Sequence, residues 1–385
     1  MATMAQPQAS AGQPGTSAPS SAQRWRPYQI AFWLACLVIV IAFPLVISDP
    51  AYTTVAFFTL VFAAAGSAWN IFCGYTGYIA LGHAVFFGTG CYALTIICAR
   101  WHIPGGWQPF EFVPLAGLIA SVVAVPVGLV ALRTRRHTFV VITIAIFFIF
   151  QLLAENNVFG LTNGMTGAEL PIPPWSGYVY NLPFYYVILF ILLLAVATSW
   201  FVRHSKYGLE LLAIRDDEGR ALGLGVHTTT VKLSAFVLSA FFVGMCGAVW
   251  AYYVESVFPP FAFDALFDVL VALMAFLGGL GTISGPLLGA LLLEPAQQYL
   301  TIAVGQSGLN LVVEGLVFLL VILLLPEGIV PAASRFLVRW ATGRNASPVA
   351  PGSASGSAGP PGTPDTPEAR GPTAASEQAS VATER

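Results

Sequence analysis

The chain has 385 residues, of which 57% are hydrophobic and only 9% charged, with a formal net charge of −2. A water-soluble domain carries about 25% charged residues, so there is too little charge here to coat a wet surface, and lipid must solvate much of the chain. The charge balance supplies no basic field for nucleic acid. The five cysteines, Cys36, Cys73, Cys91, Cys98 and Cys246, lie in or beside apolar runs without a C-x-x-C pair, and read as small apolar filler.

In chain order, residues 1–27 form a tail whose first 23 positions carry no charge. It cannot bury enough apolar surface to offset the entropy of ordering, so it is expected to be disordered. The apolar run that follows starts late and lacks an A-x-A site, and is expected to be a retained first span rather than a cleaved signal. A span needs about 20 mostly apolar residues. Runs of that kind occupy 30–48, 52–72, 79–99, 113–132, 138–154, 184–202, 232–253, 265–278, 286–303 and 308–325. The eighth and ninth are short and can instead form one re-entrant pair, so the predicted fold is an all-α polytopic bundle of eight to ten spans over a membrane domain, 28–344. Residues 345–385 form a second disordered tail.

Basic residues set the orientation. Arg24, Arg26, Arg133, Arg135, Arg136, Arg203, Lys206, Arg215, Arg220, Lys232, Arg335, Arg339 and Arg344 fall on one side of the spans, and only Arg100 on the other. This predicts an even span count with both termini cytoplasmic. The outer segment 155–183 holds Glu155, Glu169, Pro171, Pro173 and Pro174 but no basic residue, and suits either a cap, a docking surface or an idle connector.

Three segments stand out. The first runs Gly74-Tyr75-Thr76-Gly77-Tyr78-Ile79-Ala80-Leu81-Gly82-His83 and on to Gly88 and Gly90. Glycine in a helix costs about 1 kcal/mol relative to alanine, and irregular backbone at membrane depth survives only when buried in protein or lining a wet cavity. Two readings stay open: a broken helix beside a solute path, binding the charged ends of a zwitterion, or close helix packing through Gly82, Gly88 and Gly90. His83 suits a proton carrier or ligand, or, more commonly, a side chain hydrogen-bonded to backbone. The second segment, Gly278-Gly279-Leu280-Gly281-Thr282-Ile283-Ser284-Gly285-Pro286 then Gly289, also interrupts two apolar runs. It lacks the lysine of a phosphate cradle, and no G-x-x-x-x-G-K-[ST] occurs anywhere in the chain. The third, 203–231, reads as a short helix, a charged turn at Asp216 to Gly219, and a second short helix ended by Gly223 or Gly225. It suits either the groove of a soluble partner or the bilayer surface. Glu294 and Glu314 are intramembrane carboxylates, read either as functional groups or, more plainly, as residues near helix ends with access to water. Asp264 and Asp268 are expected to flank the eighth span at the outer face. No metal-ligand spacing, triad or paired-carboxylate constellation emerges.

Together the three segments resemble the permeases of branched-chain amino acid ABC importers, of the high-affinity amino acid and urea uptake type. The stretch from Asn70 to Gly90 is similar to that family's N-x-x-x-G-Y-x-G-x-x-x-L-G-H-x-x-F-F-G. Gly208 to Gly223 is similar to its coupling loop, with Ala213-Ile214-Arg215 and Glu218 in place, though Gly219 and Arg220 precede Ala221. Gly278 to Ala290 is similar to G-G-x-G-T-x-x-G-P-x-x-G-A, and Leu325-Pro326-Glu327-Gly328 resembles the family's ending, which often has a basic residue at Glu327. The resemblance implies a translocation path near Asn70, Thr76, Gly77, Gly82, His83, Gly279, Gly281, Thr282 and Gly285. It implies an ATPase-docking loop containing Glu210, Ala213, Ile214, Arg215, Asp216, Glu218 and Gly223. The implied partners are a sister permease, two ATP-binding subunits and a periplasmic or lipid-anchored solute-binding protein, in an inner membrane. This chain would bind no cofactor or metal and perform no catalysis, ATP being used by partner subunits. Branched-chain amino acids are the implied solute, with urea or short amides, or a self-sufficient secondary transporter, as alternatives.

Overall fold

The computed structural model describes residues 26–47, 49–134, 136–304, 312, 315–316 and 328–331. The two tails as far as residues 25 and 345, most of the span expected at 308–325, Glu314, Arg335, Arg339, Arg344 and Leu325 to Glu327 lie outside these residues. The helices are α1 (Arg26–Val46), α2 (Pro50–Trp69), α3 (Ala84–Trp101), α4 (Gln108–Glu111), α5 (Val113–Ala131), α6 (Arg136–Glu155), α7 (Asn181–His204), α8 (Lys206–Asp216), α9 (Glu218–Gly223), α10 (Thr228–Val254), α11 (Pro259–Ala262), α12 (Ala265–Gly278) and α13 (Gly285–Val304). Seven helical stretches among the described residues are long and apolar enough to cross a membrane, and Ala35–Val46 of α1 is a shorter apolar helix. α1 begins two residues inside what the sequence assigned to the tail.

Local chemistry fixes the ends. Asp49 caps α2 by accepting from Ala51 N at 2.9 Å with Pro50 at the first helical position, where a missing N–H costs nothing. Asp264 caps α12 in the same way, accepting from Leu266 N at 2.9 Å. α10 is the central post and packs against α3, α5 and α2, while α12 and α13 pair and lean on α2. The α3–α10 crossing is glycine-dependent. A Cβ on Gly90 would lie 2.0 Å from Gly244 O, and one on Gly247 would lie 2.1 Å from Phe87 O. Close approach through small residues is how helices associate where lipid removes the hydrophobic drive, so the packing reading holds for Gly90. At Gly88 a Cβ would meet the Phe263 ring at 2.5 Å.

The two ends of the bundle differ. At one end, the start of α2, the start of α7 and the end of α10 meet: Asn181 Nδ2 donates to Thr53 Oγ1 at 2.8 Å, and Tyr253 Oη to Asn181 Oδ1 at 3.2 Å. Here too the segment after α6 forms a two-stranded antiparallel ribbon, β1 (Ala168–Glu169) with β2 (Ser256–Val257). Periodicity does not reveal strands of two residues. The opposite end carries Arg203, Lys206, Arg215, Arg220 and Lys232 around α8 and α9. α12 and α13 are separate helices joined by a short turn and packed against each other.

Candidate functional site

The first glycine-rich segment is a discontinuity between two helices. α2 runs into a single π-helical turn, Asn70–Gly74, the helix ends at Thr76, and the chain then has no helix until Ala84. The expected span at 79–99 is therefore helical only in its later part. Gly77 takes φ +71° and Gly281 φ +78°, left-handed conformations that glycine adopts without steric cost. The second glycine-rich segment is the turn from Gly279 to Ser284, and the two are bound to each other. Asn70, fully buried, accepts from Gly281 N at 2.8 Å and donates from Nδ2 to Thr282 O at 2.9 Å. The clamp leaves no room for side chains nearby, since a Cβ on Gly74 would lie 2.0 Å from Asn70 Oδ1 and one on Gly285 2.3 Å from Gly279 O.

Each end of the discontinuity meets an ionisable side chain from another element. At the Gly74 end, Arg215 of α8 donates from Nη1 to Gly74 O at 2.8 Å. Helix C-termini leave carbonyls unpaired and favour cations. Arg203, at the end of α7, donates to Gly281 O at 2.7 Å. At the other end, Asp268 of α12 accepts from Ala84 N at 2.9 Å, at the first residue of α3. Asp268 is 2% exposed, so it does not flank the span at a surface. It sits one turn inside α12, where an acidic group complements the α3 N-terminus. That terminus, which the sequence offered to a solute's negative end, is occupied by the chain's own carboxylate.

His83 is also buried and pairs through Nε2 with Ser239 Oγ at 2.9 Å, rather than with a backbone group alone. Ser239 lies eleven residues into α10, roughly 16 Å along its axis at about 1.5 Å per residue, so the discontinuity reaches mid-depth. Thr76 is fully buried and donates to Phe72 O at 2.8 Å. Gly82 packs on α6, where a Cβ would come 2.7 Å from Thr143 O. Of the residues expected along a path, Asn70, Thr76, Gly82, His83, Gly279, Gly281 and Gly285 are buried and Gly77 and Thr282 half-buried in this conformation. Glu294 departs from expectation as well. It lies mid-way along α13, 2% exposed, and accepts from Gln298 Nε2 at 3.0 Å.

The loop at the basic end forms the two short helices expected, with the turn narrowed to Asp217, which caps α9 by accepting from Arg220 N at 3.1 Å. Its residues divide into two sets. Ile214 is fully buried, Arg215 reaches inward to Gly74, and Glu218 accepts from Tyr78 Oη and forms an ion pair with Lys232 Nζ. Burial acts to raise the Glu218 pKa, but the hydrogen bonds from Lys232 and Tyr78 outweigh it and hold the carboxyl below the usual glutamate value. Facing outward are Leu209 (65% exposed), Leu222 (62%) and Leu224 (84%), with Asp216, Arg220 and Gly223 exposed beside them and Glu210 half-buried. A shallow depression of about 290 Å³ lined by Ala213, Asp216, Asp217, Arg220, Ala221 and Leu224 opens on this face. Sequence reasoning missed Asp268, Arg203 and the Tyr78–Glu218–Lys232 group. A lysine inside an apolar helix opposite a loop glutamate was the one available signal.

Residues 51–324 match the family of permease components of branched-chain amino acid transport systems. The chain belongs to that family. It is 27% identical to the high-affinity branched-chain amino acid transport system permease protein LivM of Salmonella typhimurium, over 79% of this chain and 75% of that protein. To LivM of Escherichia coli it is 26% identical over the same shares. To the high-affinity branched-chain amino acid transport system permease protein LivH of Escherichia coli it is 30% identical over 37% of this chain and 45% of that protein. The ribose import permease protein RbsC of Bacillus subtilis matches at 29% over 38% of this chain and 47% of its own. No solved structure matches. Membership of this family and seven apolar helices of spanning length make the chain a multi-pass membrane protein.

Proposed function

We propose that this chain is the LivM-type translocation subunit of an ATP-driven importer for branched-chain amino acids. The observation that carries this reading is the family match across nearly all the described helices, together with similarity to LivM over most of the chain and to LivH over less than half. The relatives come as two different permeases, which supports pairing with a sister permease rather than with a second copy. The basic end faces the cytosol by the rule that positive segments stay inside, with both termini on that side of an inner membrane. There Leu209, Leu222 and Leu224, with Ala213, Asp216, Arg220 and Gly223 around them, dock on two ATP-binding subunits that carry out hydrolysis. A periplasmic or lipid-anchored binding protein delivers solute to the ribbon end.

The solute passes alongside residues 74–83 and the turn at 279–285 when the bundle opens, by rearrangement of a broken helix against its neighbours. Purifying a tagged form from its native membrane tests the reading. The expected preparation holds one copy each of this chain and a second permease with two ATP-binding chains. A homo-oligomer with no ATP-binding chain would overturn it.

A further inference from the structure

The docking loop is fastened to the first discontinuity at two points, and neither faces outward. The first is Arg215. Its Nη1 bonds Gly74 O at 2.8 Å. Its Cγ would be 3.1 Å from a Cβ on Gly77, and its Nη1 2.4 Å from a Cβ on Gly281. The Arg215 side chain thus lies in a slot walled by three glycines, its stem against Gly77 and its guanidinium against Gly74 and Gly281. An alanine at any of the three would crowd this slot or the Asn70 clamp beside it. The second point is Glu218, the first residue of α9, which accepts from Tyr78 Oη inside the discontinuity and from Lys232 Nζ on α10. Lys232 in turn lies 4.5 Å from the centre of the Tyr78 ring. The α8–α9 pair therefore grips residues 74–78 at the end of one helix and the start of the next, with only Asp216 and Asp217 between.

Resting on the permease reading above, we propose that Arg215 and Glu218 are positioning residues that carry motion of the loop into residues 74–83, and that they do not touch the ATP-binding subunits. A charged hydrogen bond to a helix-end carbonyl is short and directional. The carbonyl it holds belongs to backbone that no regular helix restrains on its far side. Displacement of α8–α9 reaches the discontinuity directly, while the ends of α7 and α10 stay packed. Ile214, fully buried beside Arg215, keeps the lever from sliding on the bundle.

The test is leucine uptake and ATP hydrolysis by the complete assembly in liposomes, with Arg215→Ala, Arg215→Lys and Glu218→Gln compared with Leu224→Asp. The inward variants are expected to retain the ATP-binding subunits and to hydrolyse ATP within about twofold of the parent. The ATP spent per leucine should rise about tenfold or more, the factor that about 1.4 kcal/mol of lost coupling represents. Arg215→Lys keeps the charge but not the planar fork and should fall between parent and alanine. Leu224→Asp should instead shed the ATP-binding subunits. Should Arg215→Ala fold poorly, Tyr78→Phe removes one bond from the second fastening point and is expected to raise the same ratio. Loss of ATP-binding subunits from Arg215→Ala at normal levels of folded chain would make Arg215 a docking residue and overturn the inference, as would an unchanged ratio in Arg215→Ala or Tyr78→Phe. A parent assembly that contains no ATP-binding subunit would refute the permease reading itself.

Discussion

Replacing Asn70 by leucine strips the clamp between the two glycine-rich segments while keeping the branched shape of the side chain. Two bonds are lost, Gly281 N to Oδ1 at 2.8 Å and Nδ2 to Thr282 O at 2.9 Å, and Asn70 is wholly buried. The groups left behind are the buried Gly281 N–H and the part-buried Thr282 C=O. Each buried polar group left unpaired costs about 1–3 kcal/mol, so the substitution should destabilise by about 2–6 kcal/mol. At roughly 2 °C per kcal/mol for a large domain, melting in detergent, followed by tryptophan fluorescence, should drop by about 4–12 °C. Asn156→Ala is the control, because Asn156 is exposed and bonds only Leu152 O at 2.8 Å. Surface changes of that kind stay within about 0.5 kcal/mol. An Asn70→Leu protein that melts with the parent, or no lower than Asn156→Ala, would refute the claim that this amide holds the two segments together.

Three further outcomes follow from the same geometry. Gly90→Ala puts a methyl 2.0 Å from Gly244 O. The α3–α10 pair must separate, at a cost of about 1–3 kcal/mol or more, whereas Gly223→Ala, with nothing within 4 Å, should express and melt like the parent; size-exclusion yield and melting report both. Because the folded Glu218 carboxyl is held below its usual value, its contribution is complete above the unfolded glutamate value of about 4.3 and fades as pH falls through the folded value. The melting difference between the parent and Glu218→Gln should therefore be constant from pH 7 to about 5 and shrink below about 4.3; a difference that grows on acidification would contradict the sign. Paired Leu222→Asp and Leu224→Asp should abolish co-purification of the ATP-binding subunits while leaving the melting temperature of this chain within about 1 °C, since both side chains are largely exposed.

Much of the architecture was legible because lipid imposes one simple demand, a run of apolar residues long enough to cross it. Span positions, the place of Asp264 beside the eighth span and the two-helix loop at 203–231 follow from that demand and from the chemistry of turns and glycine. What the sequence withheld was pairing across the fold. Nothing local to Asp268 says that it will reach the first residue of α3, and nothing near Arg215 says that it will turn inward to Gly74 rather than outward. Both are long-range contacts, set by how α12 and α8 pack. The same holds for Glu294, whose place deep in α13 depends on a neighbouring helix pair and not on the proline beside it. Among the expected coupling residues, Ala213, Asp216 and Gly223 lie on the outward side. Ile214, Arg215 and Glu218 were grouped with them because they share a motif, and the fold separates them by the face on which each falls.

The central claim is that transport through this chain is worked by a motor it does not contain. The most direct measurement is radiolabelled leucine uptake by liposomes holding this chain alone and by liposomes holding the full assembly, each with ATP placed on the side of Leu224 and each repeated under a proton gradient. Uptake should appear only with the assembly and ATP, and should ignore the gradient. Leucine accumulation by the isolated chain under a proton gradient without ATP would contradict it.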